Sequence, residues 1–249
     1  MWIARFLDAA GAVVHARLAD DGRWIAVDDP YLAFAAGHEP ADAPGGASAP
    51  LVGEPLAPAA PLVVVGIAQN GPGHPSPVQA WLKSPRTVVA SGERVTLRRD
   101  AGTAVAEGEV AVVIGRDTDG LTAANAHEYV LGVTAVNDLS SPDRTAVDPR
   151  NFETKGGEGY TPLGPWIDTD ADLDDVALAL RVDGRPVAEA GSRTLPVPIR
   201  ECLAYVAGWL RLGPGDVIMT GAPIAQSPIA PGTVVEVEVA GMRLVTPTA

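Results

Sequence analysis

The segment 106–115, AEGEVAVVIG, constrains the fold more than any other part of the chain. Its run of valine and isoleucine is typical of a buried β-strand. Side chains two residues apart share one face of a strand, so Glu107 and Glu109 are predicted to project together into one pocket. The alternating face carries three apolar residues that we expect to pack inward: Val110, Val112 and Ile114.

A third acidic residue follows the next apolar run, YVLGVTAV. Asp138 lies in the sequence VNDLS, roughly thirty residues beyond the two glutamates. Three carboxylates in one site repel each other unless a hard cation lies between them. Oxygen ligands of this kind suit Mg²⁺, Mn²⁺ or Ca²⁺ rather than zinc. The sequence therefore predicts a divalent metal site formed by Glu107, Glu109 and Asp138.

Composition limits the classes of partner and compartment. The formal net charge of −13 argues against nucleic acid or an anionic membrane as a partner, although a small anionic substrate remains compatible with a bound cation. The chain contains no run of about eighteen apolar residues, and its N-terminus lacks the pattern of a signal peptide. We therefore expect a cytoplasmic protein. The single cysteine, Cys202, is predicted to be a buried structural thiol.

The chain is predicted to contain a small N-terminal domain with its connection (1–58) and a catalytic domain (59–249). Residues 1–36 carry short apolar stretches between turn signals, which indicates a small β-rich unit. The Pro-, Gly- and Ala-rich segment 39–61 is typical of a connection, with one short strand expected at Leu51-Val52.

Most of the larger region is predicted to be short strands. Asp183-Gly184 has the composition of a hairpin turn. Two helices are expected, one over TAANAHEYV with Thr122 as its N-cap, the other over IRECLAYVAGWL. The predicted fold class is thus α+β, predominantly β.

Two further segments carry candidate substrate-binding groups. Lys155 lies in the Gly- and Pro-rich segment ETKGGEGYTPLGPW, where an ammonium beside carboxylates keeps its charge and can hold an enolate or carboxylate oxygen. The segment PGDVIMTGAP ends a strand in a tight turn, where Thr220 and the amide of Gly221 could bind a carboxylate.

The order of four blocks, GEVAVVIG, NDLS, TKGGEGYTPLGPW and GDVIMTGAP, resembles the fumarylacetoacetate hydrolase family. Each block alone is weakly specific, but all four occur in the family's order over about residues 60–245. The resemblance implies a mixed β-roll catalytic domain, usually dimeric, behind a small N-terminal domain.

The resemblance also implies roles for individual residues. The positions that match the family's metal ligands are Glu107, Glu109 and Asp138, and the metal is commonly Mg²⁺ or Mn²⁺. The family's active-site lysine falls on Lys155, and its substrate-binding threonine on Thr220. Members cleave, decarboxylate or isomerise 2-oxo acids and 1,3-dicarbonyl compounds by stabilising an enolate.

Two departures from the family pattern affect the predicted reaction. Pro142 and Thr145 stand where the family pattern has a pocket arginine and a glutamine. Arg144 lies nearby and is the candidate to replace that arginine. Hydrolytic members carry a His–Glu pair that activates water, whereas here His74 is the one candidate base and Pro77 stands in the place of the acid.

The sequence leaves three functions open. The first is a metal-dependent hydrolase or decarboxylase that cleaves a C–C bond of a small 2-oxo or 1,3-dicarbonyl acid. The second is an isomerase of the same fold, which needs no activated water. The third is a non-catalytic binding protein. Several other polar residues are expected to be structural or solvated: His15, His38, His127 and the acidic run 168–175.

Overall fold

The computed structural model describes residues 1–44, 53–71 and 73–249, so the strand expected at Leu51-Val52 lies outside the described residues. Its strands are β1 (Trp2–Leu7), β2 (Val13–Leu18), β3 (Trp24–Val27), β4 (Glu54–Leu56), β5 (Val64–Gln69), β6 (Val78–Lys83), β7 (Val88–Ala90), β8 (Ala104–Ile114), β9 (Val130–Asn137), β10 (Thr161–Leu163), β11 (Ile167–Asp168), β12 (Ala177–Val182), β13 (Arg185–Gly191), β14 (Val217–Met219), β15 (Gln226–Ile229), β16 (Val234–Val239) and β17 (Met242–Pro247). Its α-helices are α1 (Pro30–Ala35), α2 (Phe152–Lys155) and α3 (Ile199–Ala207), and short 3-10 helices occur at Pro85–Thr87, Ala126–Tyr129, Pro142–Arg144 and Ser192–Thr194.

Within the described residues the strands form two sheets. The larger sheet follows the order β3-β2-β1-β11-β9-β8-β14-β5-β6, with β4, β7, β10 and β15 paired off this path. The smaller sheet has the order β13-β12-β16-β17. The architecture is predominantly β with few helices, which confirms the predicted fold class.

The long strand β8 is buried on both faces. Val110, Val112 and Ile114 belong to a core shared with the smaller sheet and α3, as predicted. Ala111 and Val113, on the face that carries Glu107 and Glu109, belong to a second apolar cluster. Because both faces are covered, the two glutamates lie within the molecule and not on a solvated sheet surface.

Two local predictions are confirmed and one is wrong. Asp183 and Gly184 have φ of 50° and 73° and form the two-residue hairpin between β12 and β13. The helix predicted over IRECLAYVAGWL is α3. The helix predicted to begin at Thr122 is absent from the described residues, since only a 3-10 turn forms at Ala126–Tyr129. Thr122 instead bonds Asn125 Oδ1 through both its amide and its hydroxyl, in a turn.

The N-terminal residues form the predicted β-rich unit and join the larger sheet. Strand β1 pairs with both β2 and β11, so the first three strands extend this sheet. Trp166 stacks on Trp2 with ring centroids 4.9 Å apart, which packs the first strand against the segment before β11. The division at residue 58 stays a prediction. No helix among residues 1–44, 53–71 and 73–249 combines the length and apolar character needed to cross a bilayer.

Candidate active site

Three carboxylates converge where β9 ends beside the N-terminal half of β8. Glu107 and Glu109 lie on β8, and Asp138 follows directly after β9, whose Asn137 is paired with Gly108. Each of the three side chains offers an oxygen within 4.8 Å of the other two. The Asp138 amide donates to the Glu107 carbonyl at 2.8 Å, which fixes the two segments relative to each other.

A change of strand partner leaves room for Glu109. The C-terminal half of β8 pairs with β14, whereas its N-terminal half pairs with β15. Residues 220–225 connect β14 to β15 and pass beside Glu109, to which the Gly221 amide donates at 2.7 Å. Glu109 is only 1% exposed. Burial, together with the charges of Asp138 and Glu107, raises the pKa of this carboxyl well above its usual value.

Lys155 links two of the carboxylates. It is the last residue of α2, and its Nζ donates to Glu107 Oε2 at 2.8 Å and to Asp138 Oδ2 at 2.7 Å. The Trp81 ring lies 5.3 Å from the same ammonium group. Burial acts to lower the pKa of Lys155, but the surrounding carboxylates outweigh it and hold the pKa above its usual value. Lys155 is therefore protonated at neutral pH.

A second lysine, Lys83, contacts the site and was not predicted. It is the last residue of β6, is 4% exposed, and donates to Asp138 Oδ1 and to the Tyr160 carbonyl at 2.7 Å. Burial is the largest influence on its pKa and lowers it. The two ammonium groups together outweigh the effect of burial on Asp138 and lower the pKa of that carboxyl. The one available signal was a lysine among apolar residues at the end of a strand.

Ser140 is another partner that residue patterns did not identify, although it belongs to the NDLS block. Its hydroxyl donates to Glu107 Oε1 at 2.5 Å, while Lys155 binds the other oxygen of the same carboxylate. Both oxygens of Glu107 are thus held in place. Such outer contacts fix the orientation of a metal-binding carboxylate.

A cavity of about 310 Å³ opens beside the carboxylates. Glu107, Ser140 and Lys155 form its charged and polar end. The rest of its described lining comes from β5, β6, the loops after β9 and β14, and the start of β15, and consists of Ile67, Ala68, Gln69, Trp81, Pro142, Thr145, Asn151, Thr154, Ala222, Pro223 and Gln226. A small acid can therefore reach Lys155 and Glu107 from one side.

The sequence model of the family described as "Fumarylacetoacetate (FAA) hydrolase C-terminal" matches residues 57–247, which is most of the chain. The chain belongs to the fumarylacetoacetate hydrolase family. The resemblance predicted from the four sequence blocks is thereby confirmed.

Known relatives in this family carry several activities. A bifunctional isomerase/decarboxylase of 4-hydroxyphenylacetate degradation from Salmonella dublin is 38% identical over 144 residues, which are 56% of this chain and 34% of that protein. Maleylpyruvate hydrolase from Aquipseudomonas alcaligenes is 28% identical over 64% of this chain and 55% of its own.

A solved structure matches the whole chain. The crystal structure of 5-carboxymethyl-2-hydroxymuconate delta-isomerase from Mycobacterium smegmatis is 30% identical, with a TM-score of 0.88 over 100% of this chain and 99% of that one. These relatives identify the chain as an enzyme of the fumarylacetoacetate hydrolase family. They do not distinguish isomerase from hydrolase or decarboxylase.

Thr220 and Gly221 lie next to Glu109, because the segment that follows β14 passes beside this glutamate. The Thr220 hydroxyl donates to the Val110 carbonyl at 2.9 Å, and the residue is 1% exposed. The Gly221 amide is bound to Glu109. In this arrangement both groups are already paired within the protein, and their predicted role in binding a substrate carboxylate stays a prediction.

His74 and Arg144 lie apart from the carboxylates. His74 is exposed and its Nδ1 lies 2.6 Å from the carbonyl oxygen of Ser76 in its own loop. Arg144 donates through Nε to Glu153 Oε2 at 2.7 Å and faces a different cavity, of about 620 Å³. Neither side chain lines the cavity beside Lys155, and their predicted catalytic and substrate-binding roles stay predictions.

The arrangement of charges fits a divalent cation. Members of this family generally depend on a divalent metal. Here three carboxylates face two ammonium groups, so the cluster keeps a net formal charge of −1 when all five groups are ionised. Oxygen donors held within reach of one another suit a hard cation. The residues that would hold it are Glu107, Glu109 and Asp138.

Proposed function

We propose that this enzyme is a divalent-metal-dependent isomerase that moves a double bond of a small unsaturated 2-oxo acid through an enolate. The supporting observation is the composition of the cavity. Glu107 and Lys155 line it beside the cluster of three carboxylates, and its described lining residues include no paired histidine and acid. Isomerisation needs stabilisation of an enolate and transfer of a proton from one atom of the substrate to another, but it does not need an activated water molecule.

The charge of the site favours an acid as substrate. With all five groups ionised, a divalent cation changes the net formal charge of the cluster from −1 to +1, which attracts a carboxylate. Mg²⁺ or Mn²⁺ is the cation that we propose. When bound, it supplies a Lewis acid that acidifies the carbon next to a ketone.

Lys155 is the residue that we propose to stabilise the oxyanion. An ammonium group has three N–H donors, and two of those of Lys155 bind Glu107 and Asp138. The third is free to donate to an enolate oxygen of a substrate in the cavity that Lys155 lines. Because the two carboxylates hold the amine fully protonated, it acts as a donor in the ground state and in the transition state.

Decarboxylation is a second candidate, favoured by the 38% identical relative whose name combines isomerase and decarboxylase. Loss of CO₂ from a 2-oxo acid whose second carboxylate is on the carbon next to the ketone gives an enolate of the same kind and likewise needs no activated water. Hydrolysis, the activity in the name of the relative maleylpyruvate hydrolase, requires a base for water. His74 is the candidate for that base, but it is not among the described residues that line this cavity.

A parallel assay tests the proposal. The purified enzyme with Mg²⁺ or Mn²⁺ is given 2-hydroxyhexa-2,4-dienoate, oxaloacetate and acetylpyruvate in separate reactions, and the products are followed by NMR. We expect isomerisation of the dienoate and its loss on addition of a chelator. Glu109→Gln should lower the rate by about 10²-fold or more, whereas Glu128→Gln, which changes an exposed acid elsewhere, should not. Hydrolysis of acetylpyruvate without isomerisation of the dienoate would contradict the proposal.

We also propose that the enzyme is a homodimer in the cytoplasm, as the family resemblance implies. Light scattering coupled to gel filtration measures the oligomeric state, and a mass near twice that of the 25.6 kDa chain is expected.

A further inference from the structure

The indole ring of Trp81 lies against the ammonium group of Lys155. The Nζ atom of Lys155 is over this ring, 5.3 Å from its centroid, which is within the range of a cation–π attraction. Both side chains line the cavity beside the carboxylates. Two of the N–H groups of Lys155 are bound to Glu107 and Asp138. The ring is therefore a third neighbour of the ammonium group, and it attracts the cation without carrying a formal charge.

A glycine on the neighbouring strand makes room for the ring. Gly66 on β5 is the strand partner of Trp81 on β6. A Cβ atom at Gly66 would lie 2.4 to 2.7 Å from three atoms of the indole ring, which is closer than nonbonded atoms approach each other. Because Gly66 has no side chain, the ring of Trp81 can lie directly against β5.

The alternation of β6 brings this ring to the site. Trp81 and Lys83 are two residues apart on the strand, so their side chains share one face of the sheet. Lys83 on that face contacts Asp138. The same face of β6 therefore contacts the cluster through a lysine at one position and through an aromatic ring at the other.

The indole of Trp81 acts on its surroundings through its ring and not through its N–H group. The Nε1 atom is buried and has no hydrogen-bond partner among the described residues. The face of an aromatic ring has a negative electrostatic potential, which attracts an ammonium group. Phenylalanine at this position would keep such a face, whereas leucine would keep only apolar bulk. The two substitutions therefore separate the effect of the ring face from that of packing.

We infer that Trp81 is a positioning residue, whose ring lies on Gly66 and holds the ammonium group of Lys155 in the direction from which it donates to the substrate. This inference rests on the proposed function, because Lys155 is the group that we propose to stabilise the oxyanion. That hydrogen bond strengthens as the substrate oxygen gains charge. Displacement of the ammonium group should therefore lower kcat and leave KM nearly unchanged.

Nuclear magnetic resonance of the lysine side chains tests the placement without turnover. Lys83 and Lys155 are the two lysines of the chain, in which lysine and arginine together number 18. Protein grown with isotope-labelled lysine therefore gives two sets of side-chain signals, which Lys83→Arg assigns. We expect the ring to shift the Hε protons of Lys155 upfield in the parent enzyme and in Trp81→Phe. Trp81→Leu should lose this shift, and an unchanged shift in that variant would overturn the inference.

Kinetics tests the consequence for the reaction. With Mg²⁺ and 2-hydroxyhexa-2,4-dienoate, Trp81→Leu should lower kcat by about tenfold, the size of effect that a partly buried cation–π contact produces. Trp81→Phe should restore most of the rate. Trp209→Leu removes an indole that is 83% exposed and should leave kcat unchanged. Equal losses in Trp81→Phe and Trp81→Leu would overturn the inference, since they would assign the effect to the indole N–H or to its size.

Gly66→Ala tests the position of the ring while Trp81 is retained. The added methyl group must displace the indole, so this variant should lose the upfield shift of Lys155 and the rate in the same way as Trp81→Leu. An unchanged shift and an unchanged rate in Gly66→Ala would overturn the assignment of the ring to Gly66. This variant also decides the inference if Trp81→Leu does not fold.

The two measurements separate this inference from the proposed function. Loss of the Lys155 shift in Trp81→Leu, in an enzyme that does not isomerise the dienoate, would refute the function and support the placement of Lys155 by the ring. Isomerisation with an unchanged shift and an unchanged rate in folded Trp81→Leu would support the function and overturn the placement.

Discussion

Ion pairs of the same chemical type differ greatly in burial in this enzyme. Lys83 and Asp138 have side chains that are 1% and 0% exposed, whereas Arg98 and Asp100 are 50% and 71% exposed. An exposed pair contributes little to stability because water and salt screen it. Removal of one partner of a buried pair leaves a charge without compensation. The two pairs therefore form a matched comparison.

Lys83→Met should lower the free energy of unfolding of the metal-free enzyme by about 3–5 kcal/mol, since Asp138 loses a buried partner. Arg98→Met should lower it far less, because water and salt already screen the exposed pair. Denaturant unfolding followed by circular dichroism measures both. Equal effects of the two changes would mean that Lys155 alone compensates the charge of Asp138.

The role of Lys83 could not be predicted because it depends on a contact across 55 residues of sequence. Alternation along one strand revealed Glu107 and Glu109, since their spacing alone places them on one face. Asp138 and Lys155 were found from blocks in a known order. Lys83 shows neither strand alternation with the other site residues nor a place in those blocks. The direction of the Thr220 hydroxyl has no sequence pattern either, because it is set by the neighbouring Val110 carbonyl.

At the scale of elements, the site depends on the turn that follows β14. Gly221 has φ of 92°, and a Cβ there would lie 2.8 Å from the Ile67 carbonyl oxygen. The conformation directs the Gly221 amide at Glu109. Gly232 has nearly the same φ, 91°, but a Cβ there would meet nothing within 4 Å. Substitution of Gly221 and of Gly232 therefore distinguishes the effect of a positive φ from that of close packing.

Gly221→Ala should destabilise the enzyme more than Gly232→Ala does. The change at Gly232 should lower the free energy of unfolding by only about 1–2 kcal/mol, because alanine is strained at a positive φ. The first change adds a steric clash that must move the loop away from β5, and it should also weaken metal binding because the amide of residue 221 leaves Glu109. Thermal unfolding and metal titration of both variants measure these effects. Equal losses of stability in the two variants would show that the loop can move away from Ile67 without cost.

Strands were easier to predict than helices for a physical reason. The β-branched runs of β5, β8 and β16 are buried in the two sheets, so their sequences carry a strong pattern. The segment after Thr122 has helix-forming residues but few apolar positions to bury on one face. Helix stability comes mainly from packing of such a face. Local bonds to Asn125 therefore determine its conformation.

At the scale of the whole molecule, charge connects folding to the proposed metal. The chain has a net formal charge of −13, and three of its carboxylates have oxygens within 4.8 Å of one another in the site. Like charges at such distances oppose folding. The two lysines offset two of the three site charges, and a divalent cation would offset the third. The native state should therefore bind the cation far more strongly than the unfolded chain does.

Mg²⁺ or Mn²⁺ should consequently raise the melting temperature. At a concentration one hundred times Kd, mass action gives about 2.7 kcal/mol, which for a chain of this size corresponds to about 5–10 °C. Scanning calorimetry measures the shift, with NaCl at equal ionic strength as the control for general screening of the negative charge. Glu109→Gln should remove most of the shift, and Glu128→Gln should retain it. A shift of equal size in NaCl would assign the stabilisation to screening and not to the three carboxylates.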